Sequence, residues 1–243
     1  GDSARASDNG VTNETVIGAG AIGAGRNTTT IGNTSQTKCK INGNIEIDNT
    51  TFVNQKGVIM KDGVPFIHNF NYGNNGTVTT IGENTFIGVN AGNLTMGSGA
   101  TTTSQASSNT AIGASALNVN TTGYRNVAIG NGALASNTIG NSNTFIGSSA
   151  GSFNTSGGNN TAIGQNCLRN NTTGNANTAI GRQSAYFLIG TDNTAIGNNS
   201  GMYRGSGTDA FTAGTYNTLI GDSARASDNG VTNETVIGYN AVG

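Results

Sequence analysis

The chain has 243 residues, room for a sizeable core, yet 39 of them are glycine, one is proline, none is tryptophan and only 9% are charged. Its formal net charge of −1 gives no electrostatic reason to expect nucleic acid or an anionic membrane as partner. No apolar run approaches the roughly 20 residues that a membrane-spanning helix needs. Abundant Asn, Thr, Ser and Gly would suit a disordered tract, but an isoleucine returns in nearly the same short word along the chain, and that phase-locked pattern predicts order.

The first element is GDSARASDNGVTNETVIG, residues 1–18, which returns without a change at 221–238. An offset of 220 (221 − 1) leaves two arrangements open: a little more than one period of a longer tandem, or a recent duplication of two coils. Both make this a repeat protein. Residues 1–37 are predicted to be solenoid coils closing a repeat block, with Ile17 and Ile31 in strand words.

From 38 to 76 the rhythm changes. KINGNIEI and GVIMKDGVPFI alternate with period 2, as ordinary strands do, and Asp62-Gly63 suits a tight hairpin turn. This stretch is read as a small β-rich module of another kind: a neck, a cap or a junction between rods.

Residues 77–243 form the main repeat block. Its word is Asn-Thr-x-Ile-Gly, as in NTFIG (84–88), NTAIG (109–113), NVAIG (126–130), NTLIG (217–221) and the variant ETVIG (234–238). The isoleucines are Ile87, Ile112, Ile129, Ile146, Ile163, Ile180, Ile196, Ile220 and Ile237. Their usual spacing is 17, with two longer steps where insertions near 93–108 and 202–216 leave the rod. A 17-residue period is too short for a pair of helices and suits one turn of a parallel β-solenoid. Three residues after each closing glycine stands a small residue, for example Ala116, Ala133, Cys167 or Ser200. Cys167 is therefore expected to be a small buried hydrophobe rather than a reactive thiol.

Side chains alternate faces along a strand, so Thr and Ile share one face of each word while Asn, the variable residue and Gly share the other. Both faces are partly apolar. A solenoid has one interior, so the second face calls for a further layer, most economically another copy of the chain. Asn and Thr recurring at one position per coil are expected to stack in hydrogen-bonded ladders.

The words NTAIG, NVAIG and ETVIG, each followed by a small residue three positions on, resemble the head repeats of trimeric autotransporter adhesins. They are also similar to fibre repeats of phages and large viruses, as is NTTTIGNTSQTKCKINGNIEI (27–47), in the manner in which such repeats pass to a stalk. The period is longer than is usual in adhesin heads. The resemblance implies an all-β, trimeric β-roll exposed outside a cell, at a cell surface or on a virion.

Candidate chemistry is sparse. GAGAIG (18–23) fits a dinucleotide fingerprint but is followed by another coil instead of a helix. His68 has no visible nucleophile or carboxylate beside it and reads as a structural histidine. Glu46 and Asp48 share a strand face and read as solvated charges. Asp192, Asp209 and Asp228 do not form a calcium-loop pattern. No catalytic residue, metal ligand or cofactor site is expected, and Cys39 and Cys167 are too few for a disulfide framework or a zinc site. The richest surface candidate is Tyr203, Arg204, Phe211 and Tyr216 in the second insertion, expected to contact a ligand or partner, or else to pack as a brace.

Two functions follow. One is an extracellular structural fibre that associates with itself, as a trimer and end to end. The other is an adhesin or receptor-binding fibre that touches glycan or protein through its inserted loops.

Overall fold

A computed structural model describes residues 3–7, 14–17, 21–22, 29–31, 59–61, 64–205 and 209–243. Two compact units are present, Gly1–Glu46 and Ile47–Gly243. In the first, β1 (Thr15–Ile17) and β2 (Thr29–Ile31) pair in parallel, Ile17 opposite Ile31. Cys39, Glu46, Asp48 and most of GAGAIG lie outside the described residues, as do the turn residues Asp62 and Gly63.

In the second unit, β3 (Ile59–Lys61) and β4 (Val64–His68) run antiparallel, with Lys61 opposite Val64. Then come nine parallel strands of three residues, one per coil. They are β5 (Thr85–Ile87), β6 (Thr110–Ile112), β7 (Val127–Ile129), β8 (Thr144–Ile146) and β9 (Thr161–Ile163), followed by β10 (Thr178–Ile180), β11 (Thr194–Ile196), β12 (Thr218–Ile220) and β13 (Thr235–Ile237). All belong to one sheet whose order follows the chain, with isoleucine opposite isoleucine at every step. This is the parallel β-solenoid read from the period. At strand spacing the nine strands rise roughly 40 Å. Among the described residues there is no helix long and apolar enough to cross a membrane.

The core explains the repeat word. The variable residue points in: Phe86, Ala111, Ala128, Phe145, Ala162 and Ala179 are fully buried. Beside it lies the small residue after the glycine, including Ala116, Ala133, Cys167 and Ser184. The next position answers the first in size. Coils with an inward alanine, as at 111, 128 and 162, carry buried Leu117, Leu134 and Leu168; the coils of Phe86 and Phe145 carry Gly92 and Gly151. These five coils thus fill a similar volume by different means, as close packing demands, whereas the coils of Ala179 and Ala195 carry Ala185 and Gly201 at that position.

The Asn of each word is buried and builds the expected ladder. Asn143 donates from Nδ2 to Asn126 Oδ1 at 3.1 Å, and Asn160 donates to Asn143 Oδ1 at 3.2 Å. The same Oδ1 also accepts the backbone N–H of Asn160 at 3.0 Å. A second ladder runs through Asn120, Asn137, Asn154 and Asn171. Thr121, Thr138 and Thr155 donate from Oγ1 to the threonine carbonyl one coil on. Each asparagine of these ladders is answered by its own copy in the next coil.

The closing glycine of the word is required twice over. Gly130 has φ +132°, and a Cβ there would sit 2.5 Å from the carbonyl oxygen of Gly147 in the next coil. Other corners place ordinary residues in the left-handed region, among them Ser115, Leu117, Arg125 and Leu134. That conformation is costly for residues with a Cβ, and the inter-coil hydrogen bonds around it offset the cost.

Where residues of both identical segments are described, two of their bonds recur. Arg5 donates its N–H to Ala21 O at 3.0 Å, and Arg225 to Ala241 O at 2.8 Å. Ser7 N–H reaches Glu14 Oε2 at 3.1 Å, and Ser227 N–H reaches Glu234 Oε2 at 3.0 Å.

The two ends of the long sheet differ. At its start, β4 lies antiparallel on β5 with His68 opposite Phe86, so the antiparallel β3–β4 pair covers the edge of the first coil. At its end, β13 is bonded, among the described residues, to β12 alone.

Candidate interaction surfaces

The aromatic and arginine group expected in the second insertion does not form one exposed patch. Phe211 is fully buried in the core, against the position where Gly214 would carry a Cβ, and that corrects its assignment as a surface contact. The physical reason is hydrophobic: the insertion folds back and pairs Tyr203 with Ala210, which turns the large ring of Phe211 inward. Arg204 is held by Asp228 and, at 3.5 Å, by Asp209. Tyr203 is half-buried with its ring 6.4 Å from that of Phe187. Tyr216 stands apart at a left-handed corner, φ 58°, and is 61% exposed. The first insertion is also packed down, with Met96, Ala100 and Ala106 buried.

The other face of the strands holds Thr and Ile, as the alternation predicts. Ile112, Ile163 and Ile180 are 36–39% exposed, and Ile237 is 67% exposed. Together with Ile87 before them and Ile129, Ile146, Ile196 and Ile220 between them, they form an apolar column one residue wide and nine coils tall. Scattered apolar residues on a surface need no explanation, but an aligned column does.

A second column lies at the coil corners, which the strand word does not mark. Arg169 lies with its guanidinium carbon 4.6 Å from the centre of the Phe153 ring and 5.7 Å from that of Tyr186. Its Nη1 donates to Tyr186 Oη at 3.0 Å. Tyr186 meets Phe187 edge to face at 4.6 Å. The steps from 153 to 169 and 186 are 16 and 17 residues, so the period alone could have aligned them. Among the described residues no carboxylate lies within ion-pair reach of Arg169.

His68 is the buried, hydrogen-bonded histidine that its surroundings suggested. It is 4% exposed, its Nε2 lies 2.9 Å from Ala91 O, and its ring rests 4.9 Å from Phe86. Burial lowers its pKa below the ordinary value of 6.5, an effect partly offset by the bond to Ala91. Cys167 is fully buried and unpaired, and its Sγ donates to Ala179 O at 3.1 Å. Ser184 and Ser200, in the same slot, make the equivalent bond through Oγ to Ala195 O and Leu219 O, each at 2.8 Å. Desolvation raises the Cys167 pKa to about 12. Among the described residues no three His, Cys, Asp or Glu side chains gather as a metal site would require.

No family model, curated protein or solved structure matches this chain.

Proposed function

We propose that the chain is a segment of an extracellular structural fibre that associates with copies of itself through the Thr and Ile face. The observation that carries this reading is the unbroken column from Ile87 to Ile237, an apolar stripe that leaves one face of every coil half-exposed in the single chain. Hydrophobic burial scales with the apolar area removed from water, so a stripe of this length is covered most completely by a like stripe of the same length. The resemblance of the repeat words to trimeric adhesin heads supports three copies. The repeated ladders suit a role in length and stiffness, since each coil is held mainly by its neighbours. Electron microscopy with averaging along the long axis tests this: continuous or tethered rods with a regular axial repeat are expected, and dispersed single-chain particles would refute it.

The column of Phe153, Arg169 and Tyr186 favours a second reading, a receptor-binding fibre that holds a glycan or protein. A cation stacked between rings and lacking a carboxylate is suited to an acidic, planar partner. Loss of surface attachment in Arg169→Gln, with the fold unchanged, is the result this reading requires. Unchanged attachment would leave the structural role alone.

A further inference from the structure

We propose that the cavity beside the β4–β5 edge binds one neutral, hydroxyl-rich ring, a saccharide unit. This goes beyond the fibre reading and rests on neither of the columns above. The cavity has a volume of about 320 Å³ and lies between Pro65 and His68 of β4, the turn 90–94 and Asn118. That is the size at which small-ligand pockets begin.

Two buried polar atoms without a hydrogen-bond partner, His68 Nδ1 and Asn118 Oδ1, belong to residues that line this one cavity. Because His68 Nε2 donates to the Ala91 carbonyl, the neutral ring carries its lone pair at Nδ1 and can only accept there. Asn118 Oδ1 is also an acceptor. Two acceptors on residues of its lining are therefore unanswered; the other unpaired buried atoms, Ser152 Oγ, Asn199 Oδ1, Arg204 Nε and Arg225 Nε, belong to residues that do not line it.

The rest of the lining decides which donors fit. Among the described residues that line it there is no Asp, Glu, Lys or Arg. An ammonium group would find no counter-charge, and a phosphate or carboxylate would meet two acceptors and no cation. Hydroxyl groups donate without bringing charge. Pro65, Ala91 and Leu94 supply an apolar wall for the C–H face of a sugar ring, while Asn90 and Asn93 can serve its other hydroxyls.

His68 is the only histidine of the chain, so its imidazole nitrogens give unique NMR signals in the intact, histidine-labelled protein. The test is a titration with methyl glycosides of glucose, galactose, mannose and N-acetylglucosamine, with glucosamine and glucuronate as charged controls. A saturable shift of the Nδ1 signal with at least one neutral sugar is expected, with affinity at least tenfold weaker for both charged controls. Asn118→Leu should abolish that shift while leaving the free-state imidazole signals in place. No saturable shift with any neutral sugar would overturn the proposal and leave water as the occupant. Charged controls that bind as tightly as the neutral sugars would also overturn it. The decisive titrations use the unaltered chain, so the outcome does not depend on whether the variant folds.

Discussion

The ring of Phe145 fills the space that a side chain at position 151 would occupy, and position 151 is glycine. In the preceding coil the same pair is Ala128 and Leu134, both fully buried. Leu134 has φ 50° and Gly151 φ 55°, so leucine is already accommodated in that backbone conformation. Phe145→Ala alone should leave a cavity costing about 3–5 kcal/mol, and Gly151→Leu alone should clash. The double variant should recover most of the loss. Urea denaturation of the parent and the three variants measures this as a double-mutant cycle, and additive losses would contradict the size exchange.

The Asn ladder yields a second expectation. Asn143 donates to Asn126 Oδ1 and to Gly157 O, and accepts both donors of Asn160. Asn143→Leu strands buried groups in the coils on each side. At about 1–3 kcal/mol for each unsatisfied group, the loss should be about 3 kcal/mol or more. Hydrogen exchange should show it centred on the neighbouring coils, because a solenoid transmits damage mainly to its neighbours.

Cys167 should be inert to thiol reagents in the folded protein at neutral pH. Its pKa is pushed up to about 12 by desolvation and its side chain is fully buried, whereas the thiolate is the reactive form. Labelling should become fast only on denaturation. Cys167→Ala should cost less than about 1.5 kcal/mol, since alanine fills the slot in most coils.

His68 makes the N-terminal end of the long sheet sensitive to acid. Its folded pKa is depressed below 6.5 by burial, so the unfolded chain takes up the proton first. The stability it contributes is full above about pH 6.5 and is lost as pH falls from there through the folded value. The urea midpoint should therefore drop between about pH 7.5 and about pH 5, and His68→Phe, which keeps the stack on Phe86, should flatten that drop. An equal drop in the variant would place the acid sensitivity elsewhere.

Much of the fold was legible in the residues themselves. The spacing of Ile112, Ile129, Ile146 and Ile163 specifies a coil, and strand alternation separates an inward Ala128 from an outward Ile129. Phe211 was misplaced because an inserted loop carries no period, and its ring turns inward through contacts distant in sequence. The size exchange between Phe145 and Gly151 was written plainly six residues apart, but only the stacked coils reveal that both point into one layer. The column of Phe153, Arg169 and Tyr186 depends on aligning successive corners, where the strand word gives no guide. The cavity at His68 needs β4, the turn after β5 and Asn118 brought together, which no local pattern encodes.

Sedimentation equilibrium of the intact chain, beside Ile163→Asp, tests self-association through the Thr and Ile face most directly. A trimer is predicted for the unaltered chain. The aspartate variant should keep the same circular dichroism spectrum while associating about tenfold more weakly or worse. An unaltered chain that sediments as a folded monomer, or a variant that associates as tightly as its parent, would contradict the account.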